Sequence, residues 1–118
     1  MAEHNLTGKS GEALAVAYLK RMHFDVLHTN WRHSYYEIDI IASKNDILHF
    51  IEVKTRRSLK FGYPEESVSD KKIENLMNGA DAYLSASPQW KKIQFDILSI
   101  QLRKNQDTEY LFIEDVYL

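Results

Sequence analysis

The chain contains no cysteine. Disulfides, thiolate nucleophiles, zinc ribbons and iron–sulfur clusters are therefore excluded. Proline (2) and glycine (4) are scarce, which leaves no place for a flexible linker between domains. There is no internal repeat or low-complexity segment. Apolar runs extend over only a few residues, too short for a membrane span. Met1 is followed by Ala2, Glu3 and His4 rather than by a basic and then apolar leader. A cytoplasmic protein without membrane attachment is the expectation. Neither sign of charge dominates: 15 Lys and Arg against 17 Asp and Glu give a net charge of -2. That argues against a generally basic nucleic-acid coat but not against a local patch. What remains is ordinary globular composition, 44% hydrophobic and 27% charged, in 118 residues. One domain is expected, burying roughly two thirds of the surface its unfolded chain exposes.

The hydrophobic periodicity predicts the order α-β-β-β-α-β-β, an α/β domain over 1–118 with a mixed central sheet flanked by helices. Residues 1–9 read as a loose polar arm. Ser10 is placed to cap a first helix, with Gly11 and Glu12 in its first turn and Leu14, Ala17, Tyr18 and Met22 along its apolar face. A strand over about 24–28 ends in a Thr29–Asn30 turn. Residues 35–42 and 47–55 form a hairpin around Lys44, Asn45 and Asp46. Residues 56–66, punctuated by Gly62 and Pro64, read as a loop. A second helix over about 69–84, capped by Ser67 or Ser69, buries Ile73, Leu76, Met77, Ala80 and Leu84. Strands over 93–102 and 110–117 close the sheet.

The hairpin carries the chemistry. Glu37 and Asp39 are two apart and share a face of one strand; Glu52 and Lys54 share a face of the other. Folding the hairpin at its turn brings three carboxylates and one amine together. Alternating charge on a hairpin is by default a solvated face, with Ile38, Ile40, Ile51 and Val53 turned to the core. Two features weigh against that reading here. One Lys does not neutralise three mutually repelling acids. The flanks, Ile40-Ile41-Ala42 and His49-Phe50-Ile51, are apolar enough for strands covered on both faces. Such carboxylates want a cation. Oxygen ligands without Cys or a His pair suit Mg²⁺ or Mn²⁺ rather than zinc.

An Asp, a second acid thirteen residues on, one apolar residue and a Lys resemble the PD-(D/E)XK nuclease signature, here Ile38-Asp39 and Glu52-Val53-Lys54. Ile38 stands where that signature has Pro. The resemblance sharpens along the whole chain, through Gly11-Glu12, Ala17-Tyr18-Leu19, Asn30-Trp31-Arg32, Glu37-Ile38-Asp39-Ile40-Ile41-Ala42 and Phe50-Ile51-Glu52-Val53-Lys54-Thr55-Arg56. It continues in Phe61-Gly62-Tyr63-Pro64-Glu65-Glu66, Val68, Lys72, Ala82-Tyr83-Leu84 and Phe95-Asp96. As an ordered set these motifs resemble the small bacterial YraN-type family, similar in fold to archaeal Holliday-junction resolvases and hence restriction-endonuclease-like. The resemblance implies that Asp39 and Glu52 hold Mg²⁺ (or Mn²⁺), with the Val53 carbonyl and Glu37 as further ligands. It makes Lys54 the catalytic amine. Glu12 matches the first-helix acid of the resolvase-like branch, although an acid in a helix's first turn is also favoured by the dipole alone.

Lys54, Arg56, Arg57 and Lys60 lie in a stretch without an acid, beside the proposed metal site. Such a patch suits phosphate-backbone contact, and a solvated basic loop is the plain alternative. Lys72 joins this set through the resemblance. Trp31 reads as core rather than as a base-stacking platform, and no histidine is assigned a catalytic role. Three functions remain in view. The first is a metal-dependent phosphodiesterase acting on DNA, branched or junction DNA included, for which symmetric cutting favours a homodimer. The second is a nucleic-acid-binding module that cleaves nothing alone and serves a larger DNA-processing complex. The third is a structural interaction domain with surface acids.

Overall fold

Asn45 and Asp46 both take left-handed backbone, with φ of 53° and 66°, as a two-residue type I′ hairpin turn requires. In the computed structural model, which describes residues 2–57, 70–103 and 107–116, this turn joins β2 (Tyr36–Lys44) to β3 (Ile47–Arg56). The two pair antiparallel from Lys44↔Ile47 to Ile40↔Ile51. β1 (Asp25–His33) adds to β2 antiparallel. α2 (Asp70–Ala86) then lies between β3 and β4 (Lys92–Gln101) in the chain, so β4 can pair parallel to β3. β5 (Glu109–Ile113) returns antiparallel on β4, which completes a five-stranded mixed sheet in the order β1-β2-β3-β4-β5.

One helix covers each face. α1 (Ala2–Arg21) buries Gly11, Ala15 and Leu19, a row four residues apart, against Ile40, Ala42, Ile51, Leu98 and Ile100. α2 sets Leu76, Ala80 and Tyr83 on Ile38, Ile41, Leu48 and Phe50. The strict alternation of β3 therefore decides where its charges go: Glu52 and Lys54, in phase with Leu48 and Phe50, face α2. At Gly11 the helix comes so close to β3 that a Cβ would stand 2.0 Å from Thr55 Oγ1 and 2.9 Å from Thr55 Cβ. Only glycine lets α1 lie there. Among the described residues no helix is long and apolar enough to cross a membrane.

Several elements differ from their sequence-based limits. α1 starts at Ala2 rather than at Ser10. The stretch before Ser10 has no proline, and Ala2, Glu3, Leu6 and Lys9 are good helix formers set against Asn5, Thr7 and Gly8. Glu12 consequently lies well inside α1, beyond the reach of its N-terminal dipole. The buried stripe runs through Ala15 and Leu19, with Ala17 exposed and Met22 beyond the helix end and 43% exposed. β1 continues through Thr29–Asn30, which pairing brackets as Thr29↔Ile40 and Trp31↔Ile38; the turn comes at Ser34–Tyr35. Asn takes left-handed backbone cheaply, so Asn30 (φ 51°) kinks the strand without ending it. β5 stops at Ile113 because the chain turns away, with Asp115 at φ 53°. The sequence-based loop over 58–66, including Lys60, and the caps Ser67 and Ser69 lie outside the described residues.

Candidate metal and phosphate site

The site forms where β2 and β3 part. Their pairing ends at Ile40↔Ile51, and Asp39 and Glu52, the next residue on each side, lie near enough for their charges to act on one another. There a side chain replaces the ladder: the Val53 N–H donates to Asp39 Oδ2 at 2.9 Å. β2 is irregular at this point. Ile38 packs with the α2 cluster and Ile40 with the α1 cluster, although residues two apart in a regular strand share a face. Left-handed Asn30 sits beside this break in the neighbouring strand. Within a strand a residue's N–H and C=O point to the same side, so the Val53 carbonyl is directed toward the cleft that holds Asp39.

Glu52 is buried at 6% exposure, and two ammonium groups converge on its Oε2: Lys54 Nζ at 2.8 Å and Lys72 Nζ at 2.6 Å. Lys54 comes from the same strand and Lys72 from the first turns of α2, an arrangement only the packing of α2 on this face could create. Burial raises the pKa of Asp39, and the Glu52 and Glu37 charges push it the same way, against the Val53 hydrogen bond and Lys72. Burial lowers that of Lys54, helped by Lys72 and opposed by Glu52. Burial works against the Lys72 ammonium too, but the contacts with Glu52 and Lys54 and the charge of Asp39 leave its pKa raised. Of the two amines, Lys54 is thus the one prepared to give up its proton.

The other sequence-based candidates have partners outside this cluster. The Glu37 carboxylate, whose charge still acts on Asp39, pairs with Arg32 Nη2 at 3.1 Å on β1 and is 43% exposed. Tyr36 and Ile38 both face α2, so the irregularity between Ile38 and Ile40 overturns the shared face expected for Glu37 and Asp39 and leaves Glu37 in register with Arg32. Glu12 Oε2 accepts from Asn30 Nδ2 at 2.8 Å on the α1 side of the sheet, the face away from Glu52. Arg56 ends β3 beside Gln101 and Arg57 follows it, exposed. Lys72, expected only to touch phosphate, is a member of the acid cluster itself. Trp31 is half-buried edge-on to Tyr83, at 5.4 Å between ring centres.

Among the described residues no three His, Asp or Glu side chains come together around one point. Asp39, Glu52 and the Val53 carbonyl nonetheless form an all-oxygen set of the kind Mg²⁺ accepts, since Mg²⁺ uses one or two carboxylates and keeps several waters. The donors fit the ion. Raised Asp39 also has a consequence for stability. An acid whose folded pKa exceeds its unfolded one stabilises the fold fully only below the unfolded value and costs stability as pH rises through the folded one. Asp39→Asn, which can still accept from Val53, is expected to have a higher urea midpoint than the parent at pH 7 without metal. The gap should close below about pH 4. A midpoint for Asp39→Asn at or below the parent's at pH 7 would refute it.

Sequence reasoning missed a second buried pair. His49 Nδ1 lies 2.6 Å from Asp96 Oδ2, with both side chains almost fully buried. Asp96 Oδ1 accepts from Gln94 Nε2 at 2.9 Å and from the Asp115 N–H at 3.1 Å. Its only sequence signal was a polar residue inside each of two apolar stretches, Ile47-Leu48-His49-Phe50-Ile51 and Phe95-Asp96-Ile97-Leu98. The pair ties β3 to β4 and to the segment after β5.

A family model described as "Uncharacterised protein family UPF0102" matches residues 11–100, which include Glu12, Asp39, Glu52, Lys54 and Lys72. A UPF0102 protein of Bacteroides fragilis is 42% identical over 100 residues, covering 85% of this chain and 83% of its own. One of Dictyoglomus thermophilum is 45% identical over 108 residues, covering 88% and 92%. One of Christiangramia forsetii is 37% identical over 117 residues, covering 99% and 98%. With the match spanning every element from α1 to β4, this chain belongs to the bacterial UPF0102 family, the YraN-type proteins.

Proposed function

We propose that the protein is a cytoplasmic, metal-dependent phosphodiesterase that hydrolyses DNA, with branched or junction DNA as the preferred class. The observation that carries the reading is that Asp39 is held on the Glu52–Lys54 strand by the Val53 N–H at 2.9 Å, with Lys54 Nζ 2.8 Å from Glu52. Two acids and an amine are what phosphodiester hydrolysis needs: the acids to hold Mg²⁺ or Mn²⁺, the amine to handle water or a phosphoryl oxygen. The bound ion would supply charge stabilisation at the phosphate and an acidified water. Asp39, Glu52 and the Val53 carbonyl would hold it. Lys54, its pKa lowered by burial, would orient the attacking water and accept its proton, or donate to the phosphoryl oxygens. Arg56 and Arg57, at the end of the same strand, would meet the flanking phosphates. A homodimer would present two such sites to a branched substrate.

A second reading, a DNA-binding module without its own cleavage, draws support from Glu37 and Glu12 being engaged by Arg32 and Asn30. A cleavage assay separates the two. Duplex, single-stranded, flap and four-way-junction DNA are incubated with Mg²⁺ or Mn²⁺, beside Glu52→Gln. Cleavage lost in Glu52→Gln supports the nuclease. Binding without cleavage of any substrate supports the module, and cleavage that survives in Glu52→Gln overturns the assignment of the site.

A further inference from the structure

We infer that Lys72 is the built-in counter-cation of the metal position: its ammonium takes the Glu52 oxygen that a divalent cation would use, and withdraws when the cation binds. This rests on the metal-binding reading above and deepens it by naming what the ion must displace. Charge balance is the first argument. The single negative charge of Glu52 already receives two ammonium groups, so it is compensated without metal. Both ammonium groups stand on the same Oε2, at 2.8 and 2.6 Å. A divalent ion on that carboxylate would add two positive charges in a poorly solvated place, against ammonium groups within contact distance. One of them has to move.

Exposure decides which. The Lys54 side chain is 16% exposed and anchored on β3 two residues from Glu52; the Lys72 side chain is 47% exposed on α2. Lys72 can carry its charge into water by rotating its four-carbon stem, at little solvation cost. Lys54 cannot, and stays. The displaced ammonium remains tethered at the rim on the α2 side, where a substrate phosphate would arrive. The same residue thus satisfies Glu52 in the empty site and becomes available to an anion once the metal is bound.

The test is Mn²⁺ binding to the full-length protein without nucleic acid, by calorimetry and by loss of the free-ion EPR signal. Lys72→Met keeps the apolar stem and removes the charge; Lys72→Arg keeps the charge. Mn²⁺ is expected to bind Lys72→Met several-fold to roughly tenfold more tightly than the parent, as when one partly exposed ion pair no longer competes. Lys72→Arg should stay near the parent. Circular dichroism and thermal midpoints establish that each variant is folded, with Lys72→Gln as the replacement if Lys72→Met is not. Equal or weaker Mn²⁺ binding by the charge-free variant overturns this inference and leaves the metal reading standing. Absence of Mn²⁺ binding in parent and variants alike overturns both.

Discussion

Lys54→Ala is expected to slow metal-dependent DNA cleavage by about 10²–10³-fold, the usual cost of losing one preorganised donor or base at a reacting centre. DNA affinity should change by no more than a few-fold. The difference follows from where Lys54 sits. Its side chain is only 16% exposed, so it contributes little to the field that draws DNA to the surface, whereas exposed Arg57 can contribute. Glu52 would keep Lys72 at 2.6 Å in the variant, so the carboxylate is not orphaned and the fold survives. Lys54→Arg separates two roles. Arginine keeps the positive charge and donor capacity but does not deprotonate in this pH range. If Lys54 takes a proton from water, Lys54→Arg should be nearly as slow as Lys54→Ala and lose the rise of rate with pH that the amine's deprotonation gives. If it only donates to phosphoryl oxygens, Lys54→Arg should recover part of the rate. Single-turnover cleavage with Mn²⁺ is the measurement. A rate for Lys54→Ala within a few-fold of the parent would remove Lys54 from the mechanism.

The largest stability effect is expected far from that chemistry. Asp96→Asn should cost about 1–3 kcal/mol for each buried donor it leaves without an acceptor, the usual penalty of an unsatisfied buried polar group. The side chain is completely buried, and both oxygens accept: Oδ2 faces His49 Nδ1, and Oδ1 takes Gln94 Nε2 and the Asp115 N–H. Asparagine has one oxygen and one NH₂ group. Turned toward Gln94 Nε2 and the Asp115 N–H, the NH₂ meets two donors; turned toward His49, it finds an acceptor only in the tautomer whose Nδ1 carries no proton. Against a typical stability of about 5–15 kcal/mol, the loss would leave a large unfolded fraction near physiological temperature. Urea unfolding at pH 7 provides the test. Replacing both partners by apolar residues, as His49→Phe with Asp96→Leu, should recover part of the loss, since the groups then left without Asp96 (the Gln94 side chain and the Asp115 N–H) lie at less buried positions. A midpoint for Asp96→Asn close to the parent's would mean that the pair does not brace β3, β4 and the segment after β5.

The two residues also mark how far a sequence can be read. His49 and Asp96 lie 47 positions apart, and neither strand's periodicity says that β4 will settle beside β3 in the register Ile51↔Asp96. The same limit applied to Glu37. Its spacing from Asp39 predicts a shared face, but β2 is irregular between Ile38 and Ile40, and the cation Glu37 meets comes from β1, which the sequence had ended before Arg32. Asn30 explains that error. Its turn propensity is real and is expressed as φ 51°, but pairing on either side keeps the strand going.

From its sequence alone this protein was legible wherever a short-range rule acts. The order of helices and strands, the Asn45–Asp46 turn, the shared face of Glu52 and Lys54 and the ordered family motifs all follow from period, turn chemistry and spacing within a few tens of residues. Tertiary structure alone decided which charges meet. It brought Lys72 from α2 onto Glu52, turned Glu12 toward Asn30 on the opposite face, parted β2 from β3 so that Asp39 accepts the Val53 N–H, and buried His49 with Asp96. The physical reason is one of range. Backbone geometry sets the direction of a side chain from its immediate neighbours, whereas its partner is set by how distant elements pack, through side-chain volumes summed over the whole core.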